Sequence, residues 1–585
     1  MTNGVNFSSA RVSDSNIEQQ FPKFKGKVIK RDDANYEAQC YQYASSSYLE
    51  EDIIQPAAII KAADDSDVIK AIKYASDNKI AVAVRTGGHQ YSGASSTSGR
   101  NIQLDLSQTY RDFEWEDENC TSVTFGISFS LGEFNAKLRE KNRFVPHGQC
   151  QYVHMGGHIQ TGGYGQLARS FGLLSDHVKK FRIITADGQV HWVCRNLYQD
   201  QDLFFAVLGG SPGNFGVLTH VSLHVFRDQD HPNSRGLRAA YPYDRQRFKA
   251  LLNVMVEMAE DENFPADYDY CIMVSEECQF DTKELTYDMI YDRTPHQVVW
   301  PRMIVVFAQW SNLQGDQQSY NPNFIDKIRQ VAGKGIIQVS DKVYTPMSKL
   351  TSHWIIPISR EFKYPYVKRT YSSNSSSQRL KDLRWTDWVY DRIEVGHCLS
   401  LKLSAQFQHI GGSNSRFFQN GKNSPTSFSW RDTRLGCTMD AFYHSGQREQ
   451  AIKWQQGNDE GVGKPKAKFC EHDRRVLWGS HDLDLSANQQ YYYDQHPEGK
   501  YERLCNIKQK YDPSGLFTPN RFCIGLSVSM QLIIKLADSE IAKEVVTDME
   551  LQDKSQLSSK DKFWKIAKME REDGKPVPLW DIWRA

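Results

Sequence analysis

The sequence predicts an α+β protein of two units, and three observations carry that prediction. Its 585 residues exceed one ordinary core, so two or three domains are expected. As far as about Val225, short apolar runs alternate with amphipathic stretches among many glycines, the pattern of one compact mixed unit. Beyond the polar, turn-forming stretch Asp228-Gln229-Asp230-His231-Pro232-Asn233, strand-like and helix-like segments alternate to about Asp494, which suggests an antiparallel sheet covered by helices on one face.

In chain order, Ala57 to Ala62 is an apolar segment, and the cluster Asp64/Asp65/Ser66/Asp67 starts a helix running from Asp65 to Asn78. The strand Ile80 to Val84 runs into a glycine turn, and Ile102 to Leu106 is a second strand. Val123 to Phe129 alternates, Leu131 to Lys141 is amphipathic, and Phe181 to Thr185 pairs with Val190 to Val193 through the turn Ala186-Asp187-Gly188. In the second unit, Tyr243 to Glu260 reads as helix, while Cys271 to Val274, Met303 to Gln309, Leu399 to Phe407 and Leu435 to Tyr443 read as strands. The serine-rich run Thr370 to Gln378 reads as a mobile loop or solvated linker. The last sixty or so residues are charged after the short apolar run Met530 to Leu536, and are expected to form a peripheral appendage.

Lysine plus arginine equal aspartate plus glutamate at 71 each, so no net field recruits nucleic acid or an anionic membrane, and a small-molecule partner is expected. No apolar run reaches the roughly 18 residues of a membrane span. The first thirty residues are polar, which makes cytoplasmic residence the expectation, with secretion open if a signal peptide has been trimmed. The eleven cysteines are an odd number without framework spacing and are expected to be mostly free thiols; no CxxC pair suggests a metal.

The chemistry concentrates around glycines. Arg85-Thr86-Gly87-Gly88-His89-Gln90 follows a strand, where paired glycines let the backbone approach a flat or phosphorylated ligand. Alone, this run reads as a tight turn, since glycine pairs mark loops more often than ligands. A second cluster changes the balance: Gly148-Gln149-Cys150, Gly156-Gly157-His158, Gly162-Gly163-Tyr164-Gly165 and Gly213-Asn214-Phe215-Gly216. Core packing does not favour the entropic cost of so many glycines, whereas close backbone approach to a ligand does. A Rossmann fingerprint is excluded, since no GxGxxG follows a strand and opens a helix.

These blocks, with Asp202-Leu203-Phe204-Phe205-Ala206 and the later Lys510-Tyr511-Asp512-Pro513, Phe517 and Asn520, resemble the berberine-bridge-enzyme-like FAD-linked oxidases of the vanillyl-alcohol-oxidase and p-cresol-methylhydroxylase (PCMH) superfamily, which includes hexose and oligosaccharide oxidases. The resemblance covers most of the first 225 residues and Tyr501 to Ile524. It implies a PCMH-type FAD-binding domain made of residues 1–228 and 495–585, the latter with a C-terminal extension, around a substrate domain at 229–494. It also implies FAD held twice covalently, through a ring nitrogen of His89 to the 8α carbon and through the Cys150 sulfur to C6. A neutral imidazole and a thiolate are suitable nucleophiles for an electron-poor flavin. His158 resembles the donor beside the N1/C2 carbonyl edge, and Val153 the oxygen gatekeeper. Arg85, Thr86, Gly87, Gly88, Gln90, Gly156, Gly157, Gly162, Gly163, Gly165, Asn214, Gly216, Val217 and Asn520 complete the expected cofactor-binding set.

The substrate half departs from the family. Leu477-Trp478-Gly479-Ser480-His481-Asp482 stands where the family carries Tyr-x-Asn-Tyr-x-Asp, so Ser480 replaces the second tyrosine while Asp482 survives. A serine hydroxyl cannot replace a phenolate as base. Gln408 stands where carbohydrate oxidases often carry an acid. His481, His409, Tyr152, Tyr443 and the cluster Tyr491-Tyr492-Tyr493 are the substitutes to test. The expected activity is oxidation of an alcohol or sugar hydroxyl, with O2 reduced to hydrogen peroxide. The alternatives are a secondary-metabolite tailoring oxidase, acting by alcohol oxidation or ring closure, and a non-redox cyclase or binding protein that keeps FAD as structure.

Overall fold

A computed structural model describes most of residues 21–525; the main segments outside the description are 43–53, 281–297, 354–364, 471–475 and 480–498, Tyr493 excepted. Strands β1 (Lys27–Lys30) and β2 (Ala58–Lys61), helix α1 (Asp65–Asp77), and strands β3 (Val82–Arg85) and β4 (Ile102–Asp105) open the chain. The Asp64 carboxylate accepts from the backbone of Ser66 and Asp67, capping α1 where the acidic cluster predicted its start. The strands form a sheet in the order β1-β2-β4-β3, with β4 parallel to both neighbours. Strands β5 (Phe113–Trp115) and β6 (Ser122–Gly126), helices α2 (Leu131–Arg139) and α3 (Met155–Gln160), and strands β7 (Val178–Ile184), β8 (Val190–Cys194) and β9 (Val217–His224) follow. A second, antiparallel sheet runs β5-β6-β9-β7-β8.

The next stretch contributes β10 (Arg235–Pro242), α4 (Arg245–Glu260), β11 (Tyr268–Ser275), β12 (Met303–Trp310), β13 (Ile337–Val339), β14 (Tyr366–Ser373), α5 (Trp385–Cys398), β15 (Lys402–His409), β16 (Leu435–Phe442) and β17 (Val476–Gly479). Their strands form one eight-stranded sheet in the order β13-β10-β12-β11-β15-β16-β14-β17. Period-two alternation sorts its side chains. Leu403, Ala405 and Phe407 of β15 and Cys437, Met439 and Ala441 of β16 pack in one core with Leu251, Leu252 and Met255 of α4 and Val389 and Ile393 of α5. On β14, β15 and β16 the opposite face is polar and turns toward the first unit.

The run Thr370–Ser373 is a buried strand, which corrects the expectation of a mobile or solvated segment. Its hydroxyls find partners inside the fold: Thr370 bonds Thr438 at 3.2 Å, and Ser373 donates to the Phe469 carbonyl at 2.5 Å. Serine content reports hydroxyls and does not distinguish water from such partners.

Helix α6 (Lys500–Tyr511) returns to the first unit, where Leu504, Ile507, Phe517 and Ile524 join its core. Lys508 is buried in an ion pair with Asp512 at 2.7 Å and donates to the backbone carbonyl of Asn214. The two cores are docked by charge as well as by packing. Asp269 on β11 accepts from the backbone N–H groups of Arg169 at 3.0 Å and Ser170 at 3.3 Å, and the Arg169 guanidinium donates to the carbonyls of Phe264 and Tyr268 at 2.8 and 3.1 Å. Arg431 reaches across to Asp176 at 3.0 Å. These contacts fix the polar face of the large sheet opposite the glycine blocks.

Candidate active site

The cleft between that polar face and the first unit encloses about 1670 Å³, counting the part open to solvent. One wall is the turn after β3, where Thr86, Gly87, Gly88, His89 and Gln90 all line the cleft. Gly88 has φ +64°, and a Cβ there would meet Gln42 Oε1 at 2.9 Å, so this turn requires glycine. The His89 Nδ1 lies 3.0 Å from the Gly87 carbonyl; it therefore carries the proton and donates, leaving the lone pair on Nε2. Cys150 Sγ stands 3.9 Å from that Nε2. Burial pushes the His89 imidazole down to about 3, so it is neutral and nucleophilic at ordinary pH.

The second wall runs from Gly148 to Gly165. The Gly148 N–H donates to His158 Nε2 at 2.9 Å, which leaves the His158 proton on Nδ1. Burial, helped by the neighbouring His147, pushes His158 down to about 3, so it acts as a neutral donor. A Cβ on Gly157 would meet nothing within 4 Å, so this glycine borders open space, whereas one on Gly165 would fall 1.8 Å from the His147 carbonyl oxygen. Cys150, Val153, Gly156, Gly157, His158 and Gly165 all line the cleft. A flat ring system with two electrophilic carbons, as in a flavin, fits a bare glycine wall, a neutral imidazole beside a thiol, and a neutral donor at His158.

The floor comes from the large sheet: Met273, Lys368, Ser404, Gln406, Thr438 and Asp440 line the cleft. The glycine blocks and the family motifs point to none of them. The signal was present as polar residues at every second position: Ser404, Gln406 and Gln408 on β15, Thr438 and Asp440 on β16, and Lys368, Thr370 and Ser372 on β14. Lys368 Nζ donates to Asp440 Oδ2 at 2.8 Å, with the two side chains 7% and 1% exposed.

Several expected site residues fall elsewhere, each for a physical reason. Arg85 turns from the cleft and donates to the Gln39 carbonyl at 2.9 Å. Gly162 and Gly163 serve packing, since a Cβ on either would lie 2.5 Å from Phe428 or Leu174. Asn214 is a staple: its amide donates to the Phe517 carbonyl at 2.6 Å and its oxygen accepts from the Ile524 backbone. Asn520 similarly ties down the loop at the Ala94 and Ser96 carbonyls, both at 3.2 Å. Gly216, with φ +142°, passes close to the Ile184 carbonyl, and Val217 is core. Gln408 is buried beside the cleft, where its amide donates to the Gly165 carbonyl at 2.8 Å. His409, the next residue, takes the opposite face by alternation, and burial drives its pKa well below the ordinary range. Tyr152 is 43% exposed and does not line the cleft. Tyr493 packs in the first core, while Ser480, His481, Asp482, Tyr491, Tyr492 and the C-terminal appendage lie outside the described residues.

Residues 56–193 match the FAD binding domain family. The chain is 26% identical over 473 residues to the FAD-linked oxidoreductase malF of Malbranchea aurantiaca, covering 77% of this chain and 72% of that protein. It is 36% identical over 168 residues to Berberine bridge enzyme-like 12 of Arabidopsis thaliana, covering 28% of this chain and 31% of that protein. Among solved structures, the glucooligosaccharide oxidase of Acremonium strictum superposes with a TM-score of 0.63 at 18% identity, over 86% of this chain and 96% of that one. With the cleft described above, these likenesses make the chain an FAD-linked oxidoreductase on the PCMH-type fold, homologous to the berberine-bridge-enzyme-like proteins.

Proposed function

We propose that the chain is an oxidase that carries FAD bicovalently, on His89 and Cys150, and oxidises an alcohol or sugar hydroxyl of a small molecule while reducing O2 to hydrogen peroxide. The observation that carries this reading is the meeting of His89 Nε2 and Cys150 Sγ at 3.9 Å in the glycine-walled cleft. Support comes from the glucooligosaccharide oxidase of Acremonium strictum, whose FAD is likewise bound to one cysteine and one histidine. Bound FAD would supply the two-electron acceptor that no side chain offers.

The protein's own residues do the rest. His89 and Cys150 would hold the ring, the backbone from Gly148 to Gly165 shapes the wall of the cleft, and His158 keeps an Nδ1–H donor that would stabilise negative charge gained on reduction. Val153 lines the same cleft, and its modest side chain is compatible with entry of oxygen. The polar floor of Ser404, Gln406, Thr438, Asp440 and Lys368 suits a substrate with hydroxyl groups.

Three measurements test the reading. Acid precipitation followed by peptide mass analysis should find flavin on the peptides containing His89 and Cys150; a colourless pellet sinks the bicovalent assignment. A peroxide-coupled screen over oligosaccharides, aliphatic alcohols and aromatic alcohols should yield peroxide with at least one class. Air-stable reduced flavin after dithionite treatment would instead mark a dehydrogenase or a structural flavin.

A further inference from the structure

An oxidase of hydroxyl groups needs a proton acceptor at the substrate, and the expected candidates among the described residues do not supply one. Gln408 is an amide and is not basic, His409 faces away from the cleft, Tyr152 does not line it, and Tyr443 packs in the core of the second unit. The cleft floor holds a different arrangement. Lys368 on β14 and Asp440 on β16 stand directly opposite each other in register, and Ser404 on β15 stands opposite Asp440 on its other side. All three line the cleft that His89 lines, and the Lys368 charge reaches His89, where it adds to the burial that keeps the imidazole neutral. The Lys368–Asp440 pair is buried on both sides at 2.8 Å. Desolvation makes such a pair a poor source of stability compared with apolar residues of similar size. Its place in the wall of the reactive cleft gives it another use.

We propose that Asp440 takes the proton of the substrate hydroxyl and that Lys368 then holds the substrate oxygen; the proposal rests on the oxidase reading above. In this step the substrate O–H bond breaks, an O–H bond forms on the Asp440 carboxylate, and the electron pair of the broken bond stays on the substrate oxygen. Nothing is oxidised or reduced in it. Before the step the Lys368 cation faces a carboxylate; after it, the cation faces the substrate oxyanion. One positive and one negative charge are buried in both states, so the step adds no uncompensated charge to a site where one is expensive. Lys368 also draws the hydroxyl pKa toward that of the carboxylic acid, because an adjacent cation favours the ionised form.

The test uses the flavin-loaded protein and 4-nitrophenol, a hydroxyl compound whose ionised form is visible by absorbance. Asp440→Asn removes the carboxylate that Lys368 faces across the strands and should bind the phenolate about tenfold or more tightly than the wild type, while Lys368→Met should bind it about tenfold or more weakly. The double variant Lys368→Met/Asp440→Leu, which removes both charges together, should keep the flavin spectrum and thermal transition of the wild type yet bind phenolate as weakly as Lys368→Met. That result separates lost charge from lost fold. Equal phenolate affinity in the wild type and both single variants, including no binding by any, overturns the proposal. Peroxide formation by the wild type is read on the same preparation. Unchanged titrations with peroxide present sink the ion pair alone, and the expected titrations without peroxide sink the oxidase reading alone.

Discussion

His158 shows how one contact decides what a residue can do. By accepting the Gly148 N–H at 2.9 Å, its Nε2 is committed, and the proton must sit on Nδ1. The close approach depends on glycine, since a Cβ at position 148 would meet the His158 ring at 2.9 Å. His158→Ala removes a fixed donor and is expected to slow flavin reduction by about 10²- to 10³-fold, measured anaerobically with an alcohol that gives peroxide in the screen. A wild-type rate in that variant would assign His158 to packing only. Asn214 and Asn520 carry the opposite lesson. The same sequence pattern marked them for the cofactor, yet both amides are used to bind the returning chain and the loop at Ala94–Ser96. A buried amide serves a ligand or a backbone equally well, and only its neighbours decide which.

At the scale of elements, glycine is the residue whose meaning the sequence leaves most open. Gly157 and Gly165 belong to the same expected block, but their surroundings differ. Gly165→Ala forces a Cβ to within 1.8 Å of a backbone oxygen and is expected to destabilise the fold by about 3 kcal/mol or more, seen as a lowered thermal transition. Gly157→Ala points into open space from helix α3, so the apoprotein should melt within about 0.5 kcal/mol of the wild type while flavin incorporation falls. Equal incorporation in Gly157→Ala and the wild type would remove that wall from the flavin site.

Elements with strong local signals were legible in the sequence: α1 with its Asp64 cap, the β7–β8 hairpin with Gly188 at φ +78°, and the strands β11, β12, β15 and β16. Strand β14 was not. Its polar residues at alternate positions have partners only across the sheet, and local composition cannot report those partners.

For the whole molecule, burial of titratable groups sets a pH dependence. Burial pushes His147 and His177 down to about 4, below the unfolded value of about 6.5. Above 6.5 neither state binds the proton; between 6.5 and 4 the unfolded chain binds it and the folded protein does not. Stability is therefore full above about 6.5 and is lost on acidification toward 4, by up to about 3 kcal/mol per histidine. Asp269 opposes this trend. Burial at the docking surface raises it to about 7, so between 7 and the ordinary carboxylate range the folded state binds the extra proton and gains stability as pH falls. Two histidines outweigh one carboxyl, so the thermal transition should drop between pH 6.5 and 4, and Asp269→Asn should steepen that drop. A transition independent of pH across this range would show that these groups titrate normally in the fold.

The sequence by itself determined the α+β class, because capped helices and alternating strands are local patterns, and its resemblance to a known family pointed to redox chemistry. The same resemblance paired His89 with Cys150, although 61 positions separate them. The tertiary structure alone decided which residues form the cleft floor. Lys368, Ser404 and Asp440 come from three strands distant along the chain, and each is an ordinary polar residue until strand register sets them side by side. Sheet pairing is non-local, so the residues facing the substrate are selected by which strands become neighbours, and no short stretch of sequence records that choice.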